Sequence, residues 1–357
     1  MTNVNEHKCP HCGAPMRFDP EQGLLVCDYC SHTISIEEDR NTTFNPDGFN
    51  YHQLQCGVTM PNAEQLPIYS CASCGAEVIA SPEQMATTCP YCGNNIVLTD
   101  KMSGNLRPNA VIPFKFTSKE LPAAVRRFYR NKPLLPKTFF SDSEIGEVTG
   151  IYVPFWVFNG RLFGLIDFRG ERSSSHRRGD YIVTTTKYYR LSRDCSVSFQ
   201  DLPADVSGRI DDALMDSLEP FDMSEAVPFD TRYLAGFTAD RFDQPKENIE
   251  ERIRKRMSNT ADSVFASRAG RGYSNIQRMN GILNNELSVQ YMLFPVYMFD
   301  VNYNGQKYHF SVNGQTGKVV GELPISKITS MRYFLTRTGI AAAASMLLVV
   351  LFYFFGG

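Results

Sequence analysis

Residues 9–30 of the chain read CPHCGAPMRFDPEQGLLVCDYC, and residues 71–92 read CASCGAEVIASPEQMATTCPYC. Both stretches contain two Cys-X-X-Cys pairs separated by fourteen residues. Two residues between cysteines let both sulfurs of a pair face one ion, and two such pairs complete a tetrahedral zinc site. The sequence therefore predicts two zinc ribbons with eight ligands: Cys9, Cys12, Cys27, Cys30, Cys71, Cys74, Cys89 and Cys92.

Each predicted site has sulfur at all four positions, which leaves no open position for water or substrate. We therefore expect two Zn²⁺ ions that are structural and not catalytic. A ribbon of about 30 residues buries too little apolar surface to fold alone, so the metal is expected to stabilise it. His11 and His32 lie inside the first ribbon, but four thiolates are already available and neither histidine is predicted as a ligand.

The residue after the second cysteine of a pair has to make a tight turn. Gly13, Gly75 and Gly93 occupy this position in three of the four pairs, and glycine tolerates the positive φ that such a turn requires. Ser31 occupies it in the remaining pair, where we expect a looser turn.

Charge is distributed unevenly along the chain. Residues 1–100 carry 3 Lys and Arg against 12 Asp and Glu, while residues 101–200 carry 17 against 8. Binding to a phosphate backbone requires basic residues, and none occurs from Cys71 to Cys92. The acidic ribbons are therefore predicted to bind a protein partner. A nucleic-acid-binding zinc-ribbon factor in transcription or replication is the alternative.

From about residue 105 the pattern is typical of a mixed α+β domain. Helices are predicted from Ser118 to Arg130 and over residues 209–218 and 246–266. Strands are predicted over residues 150–167, 180–199, 291–301 and 306–312, and Asn304-Gly305 predicts a two-residue hairpin turn between the last two.

The C-terminal region contains an uncharged run from Ile340 to Phe355. With its flanking residues it approaches the roughly 30 Å thickness of a bilayer's hydrocarbon core, which predicts a transmembrane tail anchor over residues 338–357. Lys327, Arg332 and Arg337 precede the run, so the positive-inside rule predicts a single-pass protein of the cell membrane with its N-terminal bulk in the cytoplasm. The N-terminus has no apolar segment typical of a secretory signal.

No catalytic constellation is predicted, and we expect a non-enzymatic protein. The sequence contains neither a phosphate-binding glycine-rich loop nor a nucleophile elbow. Cys195 and His309 are interpreted as structural residues of strands. Basic residues near the first predicted helix, and His176, Arg177 and Arg178 in a serine-rich hairpin tip, are interpreted as solvated faces, or as contacts to anionic headgroups if a membrane lies nearby.

Several further motifs resemble one bacterial family. The double ribbon is followed by VIPFKF (111–116), KPLLPKTF (132–139), GIYVPFWVFN (150–159), LMDSLEPFD (214–222) and FSVNGQTGKVVGELP (310–324). Together these resemble the YdjG-like family of membrane-associated double zinc-ribbon proteins, which are also described as having transcription-factor-IIB-type zinc fingers. The resemblance implies phage-shock-type and flotillin-like (SPFH) partners in envelope-stress systems. Ser31 and Ala72 depart from its usual pattern without removing a ligand.

The predicted fold class is α+β, with two small N-terminal zinc ribbons, a mixed α/β domain rich in antiparallel strands and one C-terminal transmembrane helix. The predicted function is a membrane-anchored zinc-ribbon adaptor that docks protein partners. Its predicted segments are ribbon 1 (1–40), a linker (41–66), ribbon 2 (67–100), the α+β domain (105–325), a basic juxtamembrane segment (326–337) and the tail anchor (338–357).

Overall fold

The structure is a computed structural model of the 357-residue chain. It describes residues 4–5, 7–36, 49–50, 68–71, 77–80, 84–89, 94–98, 107–130, 132–136, 138–139, 144–145, 148–207, 212–242, 246–269 and 271–355.

The described residues form short N-terminal strands, a set of much longer central strands and four α-helices. The strands are β1 (Val4–Asn5), β2 (Met16–Asp19), β3 (Leu24–Cys27), β4 (Thr33–Ser35), β5 (Phe49–Asn50), β6 (Ile68–Ser70), β7 (Glu77–Ile79), β8 (Gln84–Thr88), β9 (Asn95–Leu98), β10 (Ala110–Val111), β11 (Glu144–Ile145), β12 (Thr149–Arg178), β13 (Tyr181–Asp205), β14 (Val227–Pro228), β15 (Thr238–Asp240), β16 (Ser274–Gly281), β17 (Asn284–Tyr303), β18 (Gln306–Asn313) and β19 (Val319–Gly321). The helices are α1 (Leu121–Arg130), α2 (Asp212–Leu218), α3 (Lys246–Ala269) and α4 (Lys327–Phe355), with 3₁₀ turns at Met223–Glu225 and Thr231–Leu234.

One 14-stranded mixed sheet organises the molecule. Its main path runs β1-β9-β8-β15-β12-β17-β10-β14, and β12 and β17 lie side by side near its middle. These two strands pair antiparallel from Thr149 opposite Met298 to Phe163 opposite Asn284. β13 and β16 also pair with β12, and β18 pairs with β17. Most attached strands therefore depend on this central pair.

Alternate side chains of a strand point to opposite faces of a sheet. In the central pair, apolar side chains occupy both sets of positions, so both faces are apolar. On one face, the rings of Phe155 and Phe294 stack 4.3 Å apart and α2 covers them with Met215 and Leu218. On the other face, Tyr152 and Trp156 belong to a larger core that also contains α1, α3 and residues of the first ribbon. Helix α3 joins this core through a buried stripe at four-residue spacing: Ile249, Ile253, Met257, Ala261 and Phe265.

Several local predictions are confirmed. The predicted helix at 246–266 is α3, and α1 lies within the predicted helix that ends at Arg130. Asn304 and Gly305 join β17 to β18 with φ values of 51° and 75°, the positive values that a type I′ hairpin turn requires. Strands β12 and β13 extend well beyond the runs that their apolar alternation predicted.

The predicted transmembrane tail anchor over residues 338–357 is wrong. Within the described ranges, no helix combines the length and the apolar character needed to cross a membrane. In α4 the uncharged run from Ile340 to Phe355 spans only about 24 Å, short of the roughly 30 Å of a bilayer core, and the turns before it carry Lys327, Arg332 and Arg337.

This finding corrects the prediction in three respects. The predicted α+β fold class with a transmembrane helix is wrong, since the described chain is mostly one large mixed sheet with four helices. The predicted single-pass location in the cell membrane, with the N-terminal bulk in the cytoplasm, is likewise overturned. So is an anchor in which the C-terminal helix crosses the membrane.

The N-terminal region was predicted as two separate ribbons, but several of its strands pair with the large sheet. The β8–β9 hairpin of the second ribbon pairs with β15 through Ala86 opposite Ala239, and Val4 of β1 pairs with Leu98 of β9. Phe49–Asn50, which lies within the predicted linker, pairs with β17. The rest of the linker lies outside the described residues, and the domain boundaries stay predictions.

A group of partly buried ionisable side chains connects α2 and α3 to the end of β13. Arg252 of α3 lies 2.6 Å from Asp212 and 3.6 Å from the completely buried Asp205, while Arg256 lies 2.6 Å from Glu219. Burial, followed by a hydrogen bond with Asp212, raises the pKa of Asp205 to about 8. Asp205 therefore keeps its proton in the folded protein at pH values where the unfolded chain has lost it.

This raised pKa predicts a pH-dependent stability. Between pH 3.8 and about 8 the native state binds one more proton at Asp205 than the unfolded state, so this residue makes stability fall as pH rises. We expect Asp205→Asn to flatten that decline, measured by urea unfolding across this pH window. The control is Asp201→Asn, an exposed aspartate on the same strand. Parallel pH profiles for the wild type and Asp205→Asn would contradict the assignment.

Candidate metal centre

The first four predicted ligands come together in the structure. The Sγ atoms of Cys9, Cys12, Cys27 and Cys30 all lie within 4.8 Å of one another. Cys9 and Cys30 are 3.5 Å apart at sulfur, and so are Cys12 and Cys27. A disulfide has an S–S distance of about 2.05 Å, whereas sulfurs around one tetrahedral zinc lie about 3.8 Å apart. The cluster could therefore hold a metal ion.

Two similar turns place these sulfurs. The Cys9 N–H donates to the Ala14 carbonyl at 2.8 Å, and the Cys27 N–H donates to the His32 carbonyl at 2.9 Å. Gly13 has φ of 75° and Ser31 has φ of 57°. The looser turn predicted at Ser31 is therefore wrong, because the surrounding hydrogen bonds hold the serine in the same left-handed region as the glycine.

The surroundings of the Cys27 sulfur favour its deprotonated, thiolate form. Backbone N–H groups of Cys30 and then Tyr29 donate to the Cys27 sulfur, which lowers the pKa of this thiol to about 7. Beside it, the Arg17 Nε donates to Asp28 at 2.9 Å and links β2 to the second cysteine pair. Cys9 and Cys27 are buried, while Cys12 and Cys30 are exposed, so the cluster lies at the edge of the ribbon's core.

Two of the four ligands predicted for a second site lie in the described region. Cys71 and Cys89 are both buried, each 1% exposed, in a small apolar cluster with Tyr69 and Ile96. The Cys89 N–H donates to the Asn94 carbonyl at 2.7 Å, which repeats the turns of the first ribbon. The other two predicted ligands, Cys74 and Cys92, lie outside the described residues, so a second metal site is not shown.

The pairing register around the cysteines repeats between the two ribbons. The residue before each pair lies opposite the residue seven positions later: Lys8 with Pro15, Val26 with Thr33, Ser70 with Glu77, and Thr88 with Asn95. The sequence repeat is thus matched by a repeat in strand register.

The other residues considered from the sequence do not belong to the group of four sulfur atoms. The rings of His11 and His32 stack 4.5 Å apart beside the cluster. Cys195 is buried in β13, and burial raises the pKa of its thiol. His309 is exposed on β18 with its Nδ1 2.6 Å from Asp300.

The first ribbon packs against the large sheet through the 3₁₀ turn Thr231–Leu234 and the residues after it. The Phe18 N–H donates to the Ala235 carbonyl at 2.8 Å, and the Phe18 ring meets Tyr233 edge-on at 5.3 Å. Gly236, with φ of 90°, lies so close to Arg17 that an added Cβ would come within 3.0 Å of the Arg17 Cβ. The candidate metal centre is therefore attached to the large domain by a specific contact.

One exposed residue of the candidate metal centre was not predicted from the sequence. Tyr29, between Cys27 and Cys30, is 80% exposed. The sequence did carry a signal for it, because Tyr91 occupies the same place between Cys89 and Cys92. Exposed aromatic residues on a rigid turn are typical of protein-binding surfaces.

Fold and site together define a β-sheet protein with an N-terminal four-cysteine module that could hold a metal ion. The chain is 33% identical over 331 residues to the protein called Uncharacterized protein YdjG of Bacillus subtilis (strain 168), and the alignment covers 91% of each chain. The chain therefore belongs to the YdjG-like family, and this part of the predicted resemblance is confirmed. No family model matches the sequence, and no solved structure matches it either.

We predict that Cys27→Ser abolishes tight metal binding at the first cluster, because it removes one of the four sulfur donors, and one whose thiol ionises readily. The measurement is Co²⁺ titration of reduced protein, followed by the thiolate-to-cobalt charge-transfer absorption. Cys195→Ser is the matched control, since it removes a buried thiol in β13 that does not belong to the cluster. Equal cobalt spectra for the wild type and Cys27→Ser would exclude this residue as a ligand.

Proposed function

We propose that this protein is a non-enzymatic adaptor whose N-terminal region holds two structural zinc ions and docks a protein partner. The observation that carries the proposal is the all-sulfur donor set of the Cys9, Cys12, Cys27 and Cys30 cluster. Four thiolates suit Zn²⁺ and fill its tetrahedral shell, so the ion supplies folding energy and has no position for a substrate.

The repeated strand register supports a second zinc ion. The backbone turn at Cys89 and the pairing of Ser70 with Glu77 match their counterparts in the first ribbon, so the backbone presents Cys71 and Cys89 as it presents Cys9 and Cys27. Zinc at Cys71, Cys74, Cys89 and Cys92 is therefore part of the proposal.

Electrostatics favours a protein partner over nucleic acid. The Arg17 guanidinium lies 2.9 Å from Asp28 and 3.9 Å from Asp19, so its charge is compensated within the ribbon. Phosphate binding needs cations whose charge is available to displace counterions. The acidic surface with its exposed Tyr29 instead suits a basic or apolar protein surface.

The resemblance identifies phage-shock-type and SPFH proteins of envelope-stress systems as the partners to test first. A nucleic-acid-binding factor in transcription or replication is the alternative function. It requires a cationic surface near the ribbons, and the ion pair of Arg17 with Asp28 leaves less positive charge available there.

We expect two zinc ions per chain in reduced, purified protein, measured by elemental analysis against protein concentration. Cys89→Ser should leave one ion, because each ribbon has its own four ligands. Cys27→Ser combined with Cys89→Ser should leave none. A value of one zinc in the wild type would remove the second site from the proposal.

The choice of partner class is tested by binding of the full-length protein to labelled duplex DNA and RNA. At about 150 mM salt we expect no micromolar binding, because the ribbon charges repel phosphate. A photo-crosslinking amino acid at position 29 should capture a protein in cells, and capture should be lost on zinc chelation. The control position is Glu21, which is exposed on the same ribbon away from the cysteine pairs. Micromolar binding to either nucleic acid would favour the alternative.

A further inference from the structure

Among the described residues, the outer ends of β12 and β13 form a two-stranded projection, which we call the hairpin arm (residues 172–187). The third strand, β16, accompanies β12 only from Ile166 to Glu171. Beyond it, seven cross-strand pairs continue from Arg172 opposite Lys187 to Arg178 opposite Tyr181. At about 3.3 Å per residue the arm is about 23 Å long. Isolated two-stranded ribbons are marginally stable in water, so this length of exposed ribbon requires an explanation.

The tip of the arm combines exposed apolar and cationic side chains. Tyr181 is 77% exposed and Ile182 is 76% exposed. Arg178 lies opposite Tyr181, and Arg177 lies opposite Ile182. Cross-strand partners share a face and successive residues alternate, so each face of the tip presents one arginine and one apolar side chain.

The shaft behind the tip is polar and uncharged. The hydroxyls of Ser173 and Thr186 lie 2.9 Å apart, and those of Ser175 and Thr184 lie 2.8 Å apart. At the base of the arm, the Arg172 guanidinium packs over the ring of Tyr273 at 4.8 Å. The apolar surface is therefore confined to the distal end, and the arm holds it away from the body of the protein.

We propose that the hairpin arm binds an anionic lipid surface end-on, with Tyr181, Ile182 and Val183 entering the headgroup layer. These three residues span about 10 Å, which fits the 5–10 Å depth at which interfacial elements bury their apolar side chains. Tyrosine is typical of that depth, and the arginines beside it meet lipid phosphates. The arm carries Arg172, Arg177, Arg178 and Lys187 against Asp180 alone, so its charge complements an anionic surface.

The distribution of residues along the arm favours a lipid surface over a protein groove or DNA as its binding partner. A protein groove or the major groove of DNA contacts one face of a β-ribbon along its length, and DNA also requires cations along that length. Here each face carries an exposed apolar side chain beside an arginine at the end, and the part of the arm behind it is uncharged, which fits a surface that surrounds the tip. The inference depends on neither helix α4 nor the proposed protein-binding role.

The test places a fluorescent probe at the tip of the full-length protein, so that adsorption of another part of the chain does not count. In Tyr181→Trp, the native Trp156 supplies a constant background because it is 6% exposed in the core. The vesicles are phosphatidylcholine with about 30% phosphatidylglycerol. When they are added, we expect the emission of the tryptophan introduced at position 181 to shift to shorter wavelength. Brominated lipid in these vesicles should quench that emission. Tyr188→Trp, on the same strand at the base of the arm, is the control and should not respond.

A second pair of variants tests the arginines. Arg177→Gln with Arg178→Gln should weaken the tip's response to anionic vesicles about tenfold or more, whereas the same change at the exposed Arg126 and Arg127 of α1 should not. An unchanged emission from Tyr181→Trp with anionic vesicles would overturn the proposal. A response to duplex DNA in place of vesicles, or an equal response to neutral vesicles, would overturn it as well.

Discussion

The antiparallel pairing of β12 with β17 supports most of the other structure. Fifteen residue pairs join the two strands, and both faces of the pair are covered by apolar side chains. Strands β15 and β10 pair with them in parallel on either side, which makes the sheet mixed. The second ribbon reaches this pair through β8 and β15, and the hairpin arm is the continuation of β12 and β13.

The segment after the 3₁₀ turn Thr231–Leu234 joins the two ribbons to the sheet. Phe18 of the first ribbon binds the Ala235 carbonyl, and the Asn95 side chain of the second ribbon donates to the Leu234 carbonyl at 2.8 Å. Asp230 caps the turn by accepting from the Arg232 N–H at 2.8 Å. Neighbouring carbonyls of one short segment thus receive hydrogen bonds from both ribbons. Both ribbons therefore contact this short segment of the large domain.

Local features of the sequence predicted local features of the structure well. The spacing of Cys9, Cys12, Cys27 and Cys30 brought four sulfurs together, and Asn304-Gly305 formed the expected hairpin. Strand pairing was harder to predict, because nothing in residues 84–98 indicates that Ala86 lies opposite Ala239. Buried ionic groups such as Asp205 depend on residues from three elements and have no local signal. The tail-anchor prediction failed because it counted apolar residues without requiring an uncharged run long enough to cross the bilayer core.

The order in which the chain is synthesised gives the β12–β17 pair a further consequence. All ligands of the first cluster lie within residues 9–30, so this cluster can form as soon as a short segment has left the ribosome. Strand β12 must wait for β17, whose last residue follows Phe158 by more than one hundred residues. At about 5–20 residues per second, its apolar faces remain without their partner for roughly 7–30 s. Nascent chains therefore present Tyr152, Phe155 and Trp156 to chaperones before the sheet can close.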